Sequence, residues 1–188
     1  MKISNYILVS KVSSEELSNL KEFFNSLFVH FSISELDKAY CIDYTDDIDK
    51  DVLYEALNSY LLDATSKIIC YIGQSEISQK DVDIKIILKY FNNSLKNQIY
   101  DVKSIAFEMI DNKDDDLARL VLKKYINDYD TLELLKVFFM NNMNVLKSAK
   151  LLYIHRNTLI NKLARFKEDT SFDPKEFRDA YIVYSLIK

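Results

Sequence analysis

The chain has 188 residues, 48% hydrophobic and 29% charged, with a formal net charge of −4; that is enough for one domain of ordinary size plus a smaller second one, and too apolar for intrinsic disorder. A single glycine (Gly73) and a single proline (Pro174) argue against phosphate-cradling loops and dinucleotide folds, which need several glycines where backbone approaches a ligand closely. No apolar run nears the ~18–20 residues that cross a bilayer, and the N-terminus lacks a signal-peptide pattern, so the expectation is a cytoplasmic protein without a membrane partner.

In chain order, residues 6–12 (YILVSKV) read as a strand, and Ser13, Ser14, Glu15 and Glu16 then open a helix carrying Leu17, Leu20, Phe23, Phe24 and Leu27 at spacings of three and four. Residues 39–45 read as a second strand, 50–64 as a second helix and 66–72 as a third strand. This alternation predicts a small sheet with helices packed on it, the first and third strands at its centre because they are the more continuously apolar. Cys41 and Cys70 fall in those apolar segments without CxxC spacing or a nearby histidine, and read as core residues, so neither metal nor other cofactor is expected. From residue 78 onward the signals are helical: 81–95, 101–110, 114–125 and 130–141, the last with Leu132, Leu135, Phe138 and Phe139 as its buried stripe. The fold class expected is α+β: a small N-terminal α/β sheet module over 1–110, then an all-helical C-terminal domain over 111–188.

Charge is divided unevenly. Residues 130–188 carry ten Lys/Arg against seven Asp/Glu, a balance of +3, which leaves 15 against 22, or −7, for residues 1–129. Within 144–167 stand Lys147, Lys150, Arg156, Lys162, Arg165 and Lys167 and no acid, a +6 window of the kind that gains affinity for nucleic acid through counterion release. A solvated basic helix face without a partner would look the same by charge alone.

That window, NVLKSAKLLYIHRNTLINKLARF, has the pattern of two short helices joined by a tight turn, a helix-turn-helix over 144–168. Asn144 can cap the first helix, whose buried face would be Val145, Leu146, Ala149 and Leu152, with small Ala149 permitting the close crossing of the two helices. The turn falls at Leu152, Tyr153 and Ile154, and the recognition helix over 155–168 would bury Leu159, Leu163 and Phe166. Arg156, Asn157, Thr158, Asn161 and Lys162 face outward as base-contact candidates, since Arg or Lys can pair with guanine, Asn with adenine, and Thr with a thymine methyl. Lys147, Lys150, His155 and Arg165 are placed for phosphates. Such turns place one residue at positive φ, where glycine is favoured; here Tyr153 stands there, so either the turn is built differently or Tyr153 is strained.

At these residues the sequence resembles the PucR/CdaR-type bacterial regulators of purine-catabolism and sugar-diacid genes. Their C-terminal domain carries an A-x-x-L-x-V/I-H-R-N-T-L core, matched by Ala149, Leu152, Ile154, His155, Arg156, Asn157, Thr158 and Leu159. Tyr129, Asp130, Thr131, Leu134 and Leu135 fit the family's aspartate-led helix beneath the motif, and a last helix is expected over 174–187. The resemblance covers roughly residues 116–188, with Ser171 standing where the family has glycine. It implies a sequence-specific transcription regulator acting on double-stranded DNA; a homodimer is expected because paired half-sites ~34–36 Å apart multiply the modest specificity of one short recognition helix. A shortened, GGDEF-like regulatory or dimerisation domain at 1–110, open to an effector or protein partner, is a weaker resemblance; no GGDEF word is present, and cyclase catalysis is not implied.

Two other classes compete. A protein-interaction module on a helix-turn-helix fold that no longer binds DNA is the runner-up, and an enzyme on the α/β part is disfavoured for want of a glycine loop, metal cluster or nucleophile-base pair. His30 reads as a packed surface histidine, and Asp46, Asp47, Asp49, Asp51 and Asp114 to Asp116 as acids at helix starts rather than Mg²⁺ ligands.

Overall fold

The elements of the first part run β1 (Ile3–Ser10), α1 (Ser14–Leu27), β2 (Phe31–Glu35), β3 (Ala39–Tyr44), α2 (Lys50–Asp63), β4 (Cys70–Glu76), α3 (Lys80–Tyr90) and β5 (Ile99–Tyr100). This computed structural model describes residues 3–64, 67–91, 98–112 and 114–187. Ser66 and Leu95, expected ends of a strand and a helix, lie outside them, as does Lys188. The chain forms two units, Met1–Val102 and Lys103–Lys188.

In the first unit the strand order is β2-β3-β1-β4-β5. β1 pairs antiparallel with β3 and β4, β2 pairs antiparallel with β3, and β5 pairs parallel with β4. A βαββαβ chain laid out in this order is the split βαβ arrangement of ferredoxin-like sheets. Side-chain alternation divides the two faces. Ile7, Val9, Tyr40, Ile42, Tyr44 and Cys70 turn to one face and pack on Leu20 and Phe24 of α1 and Leu53, Leu57 and Leu61 of α2. Tyr6 and Leu8 of β1 are fully buried on the other face. A central strand buried on both sides reads as one apolar run, which is why residues 6–9 stood out in the sequence.

The helices begin where side chains satisfy free backbone N–H groups: Ser13 accepts from the Glu16 N–H at 3.2 Å, and Asp49 from the Asp51 N–H at 2.8 Å. The sheet holds two strands not expected from sequence, β2 and the two-residue β5, and its first and third expected strands, β1 and β4, both lie inside it. Gly73 is opposite Tyr6 in the β1–β4 register, and a Cβ there would stand 2.4 Å from the Tyr6 ring. The one glycine is spent where a ring crosses backbone.

The second unit is helical: α4 (Val102–Met109), a 3-10 turn (Ile110–Asn112), α5 (Asp115–Leu122), a second 3-10 turn (Lys123–Asn127), α6 (Tyr129–Met140), α7 (Val145–Leu151), α8 (Arg156–Thr170) and α9 (Phe177–Leu186). Asp114 caps α5 by accepting from the Leu117 N–H at 2.7 Å, and Asp128 caps α6 through Thr131. The α5 helix stops at Leu122 rather than continuing to residue 125, because Lys123 takes a φ of 49°. On α6 the buried side chains are Thr131, Leu134, Leu135 and Phe138, so Leu132 and Phe139 of the expected stripe are only half-buried. Buried Asp179 of α9 accepts from Lys103 Nζ at 2.5 Å and from the Asp173 N–H at 2.8 Å, tying α4 and the loop before α9 together.

Candidate nucleic-acid interface

The α7 helix is seven residues long, too short to persist alone, and is held by its ends and its packing. Asn144 Oδ1 accepts from the Lys147 N–H at 3.0 Å at its start. At its end the Ile154 N–H donates to Ala149 O at 3.0 Å and the Tyr153 N–H to Lys150 O at 3.3 Å. This nested pair is the Schellman closure, which needs a left-handed residue between helix and exit. Tyr153 supplies it, with φ 52°. Of the two options left open by the sequence, the turn is therefore built in the usual way and Tyr153 is strained.

His155 then caps α8, its Nδ1 accepting from the Asn157 N–H at 3.2 Å. Leu159, Leu163 and Phe166 face the core at no more than 1% exposure, and Ala149 meets them at 4%. Leu146 does not: it is 65% exposed, and Ser148 takes the inward place instead. In so short a helix the crossing with α8 selects the inner face, and Ser148 stands one turn from both Val145 and Leu152. Its Oγ is buried with no hydrogen-bond partner.

Every candidate contact residue is exposed: Lys147, Lys150, His155, Arg156, Asn157, Thr158, Asn161, Lys162 and Arg165. Helical spacing puts Asn157, Asn161 and Arg165 on one line along α8, and Thr158 and Lys162 on the line beside it. Among the described residues, Lys147, Lys150, Arg156 and Lys162 have no carboxylate within ion-pair reach. The acids that follow are occupied. Asp169 accepts from Lys124 at 2.7 Å and from the Tyr125 hydroxyl at 2.5 Å, with Arg165 3.9 Å away; Asp173 pairs with Lys167 at 2.7 Å. Burial works to raise Asp169 and Asp173, but the lysines and hydrogen bonds outweigh it and hold both carboxyls below the ordinary value. The result is a cationic surface on α7 and the first turns of α8 in which Lys147, Lys150 and Arg156 are not paired from within, while Lys162 lies near enough to Asp128 to help hold its carboxyl below the ordinary value. Sequence reading missed what lies beside it: Leu146, Leu151 at 54% and Ile160 at 37% exposure, and the outward throw of Tyr153 at 96%.

Among the described residues no three His, Cys, Asp or Glu side chains cluster as metal ligands, and no helix is long and apolar enough to cross a membrane. Residues 131–188 match the PucR C-terminal helix-turn-helix domain family. The proline-responsive transcriptional activator PutR of Bacillus subtilis (strain 168) is 31% identical over 77 residues, which is 41% of this chain and 19% of its own. The uncharacterized protein YxkF of the same organism is 29% identical over 93 residues, 44% of this chain and 31% of its own. This chain thus spans less than a third of either relative. A crystal structure of a regulator of polyketide synthase expression from Bifidobacterium adolescentis aligns with 99% of this chain and 80% of its own at 16% identity and a TM-score of 0.46.

Proposed function

We propose that this chain, which carries a PucR C-terminal helix-turn-helix domain at residues 131–188, is a transcription regulator that binds duplex DNA sequence-specifically, as a cytoplasmic homodimer with α8 in the major groove. The observation that carries the reading is the exposed cationic surface where α7 meets the first turns of α8, its Lys147, Lys150 and Arg156 without an ion-pair partner among the described residues. Arg156, Asn157 and Thr158 at the start of the recognition helix meet base edges, with Asn161 and Lys162 one turn on. Lys147, Lys150 and Arg165 neutralise phosphates.

His155 has a narrower task. Its Nδ1 is occupied in accepting the Asn157 N–H, so the neutral ring carries its proton on Nε2, where it donates to a phosphate oxygen while holding the first turn of α8. Two recognition helices on half-sites ~34–36 Å apart supply the specificity that a single short helix lacks, hence the dimer. The sheet unit is assigned the regulatory or dimerising role, toward an effector or protein partner.

Gel-shift titrations across salt test this. Arg156→Ala weakens specific binding by about tenfold or more. Lys147→Ala weakens all sequences alike and lowers the salt slope by about 1. A protein-interaction module predicts instead no retention on heparin or duplex DNA at low salt, and two variants indistinguishable from wild type would refute the DNA-binding face.

A further inference from the structure

We infer that Tyr153 is a contact of the DNA interface, its hydroxyl donating to a backbone phosphate and its ring lying along the adjacent deoxyribose. The inference rests on the DNA-binding reading above and adds to it a residue outside the recognition helix. Tyr153 holds a φ of 52°, a conformation that costs every residue with a Cβ and that glycine adopts freely. Strain of this kind persists where something offsets it. Within the protein the backbone closure of α7 is what offsets it, and the side chain adds nothing: it is 96% exposed, and among the described residues it makes no hydrogen bond, ion pair or ring contact. The Schellman closure of α7 uses only the backbone of this position and would be served better by glycine.

Of the other left-handed residues of the unit, Lys123 and Met143 are, like Tyr153, of types that do not favour the conformation, whereas two have local reasons. Asn142 is of a type that tolerates the conformation, and Ser171 is small and closes α8 with its N–H on Lys167 O at 2.8 Å. Tyrosine has neither excuse. Its surroundings indicate what its side chain meets: Lys150, His155 and Arg156, all exposed, stand within three residues of it. A partner lying against such a set is anionic, and a phenol presents to it a neutral O–H donor beside an apolar ring. The sugar–phosphate backbone has both features in alternation.

The test uses the full chain and a short mixed-sequence duplex, with Tyr153→Gly, Tyr153→Phe and Arg156→Ala compared by fluorescence anisotropy across salt and by thermal denaturation. Tyr153→Gly is expected to melt at a higher temperature and yet bind about tenfold more weakly, the scale of one hydrogen bond to a charged group. Tyr153→Phe keeps the wild-type melting temperature, loses part of that affinity and leaves the salt slope unchanged, since no charge is removed. If Arg156→Ala weakens binding while Tyr153→Gly binds as wild type, the Tyr153 inference is overturned and the DNA-binding reading stands. If wild type itself does not bind the duplex, both fall.

Discussion

Replacing Ser148 with alanine should stabilise the protein. Ser148 is fully buried in α7 and its Oγ has no partner, so the native state carries a desolvated hydroxyl that the unfolded chain would give back to water. A buried polar group left unsatisfied costs about 1–3 kcal/mol. Alanine is also the better helix former by about 0.5 kcal/mol. Against these stands the void left by one oxygen, smaller than a methyl group and so costing less than about 1 kcal/mol. The net expectation for Ser148→Ala is a gain of about 1 kcal/mol. By calorimetry that is about 2–4 °C in Tm if the chain melts as one transition, and about 4–8 °C if the second unit melts on its own. DNA affinity should not change, because the hydroxyl is inside. A Tm equal to or below wild type would refute the reasoning, and would mean that the hydroxyl is bonded in solution, for instance to the Asn144 carbonyl one turn back.

Leu146→Ala should change stability by no more than about 0.5 kcal/mol in urea denaturation, as befits an exposed site; a loss of about 2–5 kcal/mol would restore it to the core. Gly73→Ala forces the Tyr6 ring aside and should cost about 1–3 kcal/mol, read as a lower urea midpoint. Asp169 is held below the ordinary carboxylate value, so it contributes stability above its unfolded value near ~3.9 and loses it as pH falls through the folded value. Asp169→Asn should therefore melt lower at neutral pH and show a shallower loss of stability on acidification. It also removes a negative charge next to Arg165, so its affinity for duplex at low salt should rise.

The elements that were legible in the sequence are those fixed by local chemistry. Asn144, Asp114 and Ser13 mark helix starts because a short acceptor side chain is needed there, and they cap as expected, whereas α6 is capped by Asp128 and not led by Asp130. The outward set on α8 followed from the spacing of Leu159, Leu163 and Phe166. What escaped was decided at a distance. Phe31 and Ile33 alternate with Ser32 and Ser34, yet so short a run becomes β2 only by pairing with β3, and the two residues of β5 are a strand only beside β4. Val145, Leu146, Ala149 and Leu152 have valid helical spacing, but which side of α7 is inner depends on where α8 crosses it. The strain at Tyr153, by contrast, could be argued from the turn alone.

Lys123, Asn142, Met143, Tyr153 and Ser171, the left-handed non-glycine residues among those described, all lie in the second unit. Each raises the energy of the native state and leaves the unfolded chain untouched, so where the strained turn is not yet formed at the folding barrier the whole effect falls on the rate of opening. Replacing such a residue with glycine would slow that opening, and a protease that cuts faster than the unit recloses would then meet a longer-lived substrate. A chain with one glycine thus has its lifetime written partly into its helix ends, adjustable, Tyr153 apart, by substitutions that touch neither core nor interface.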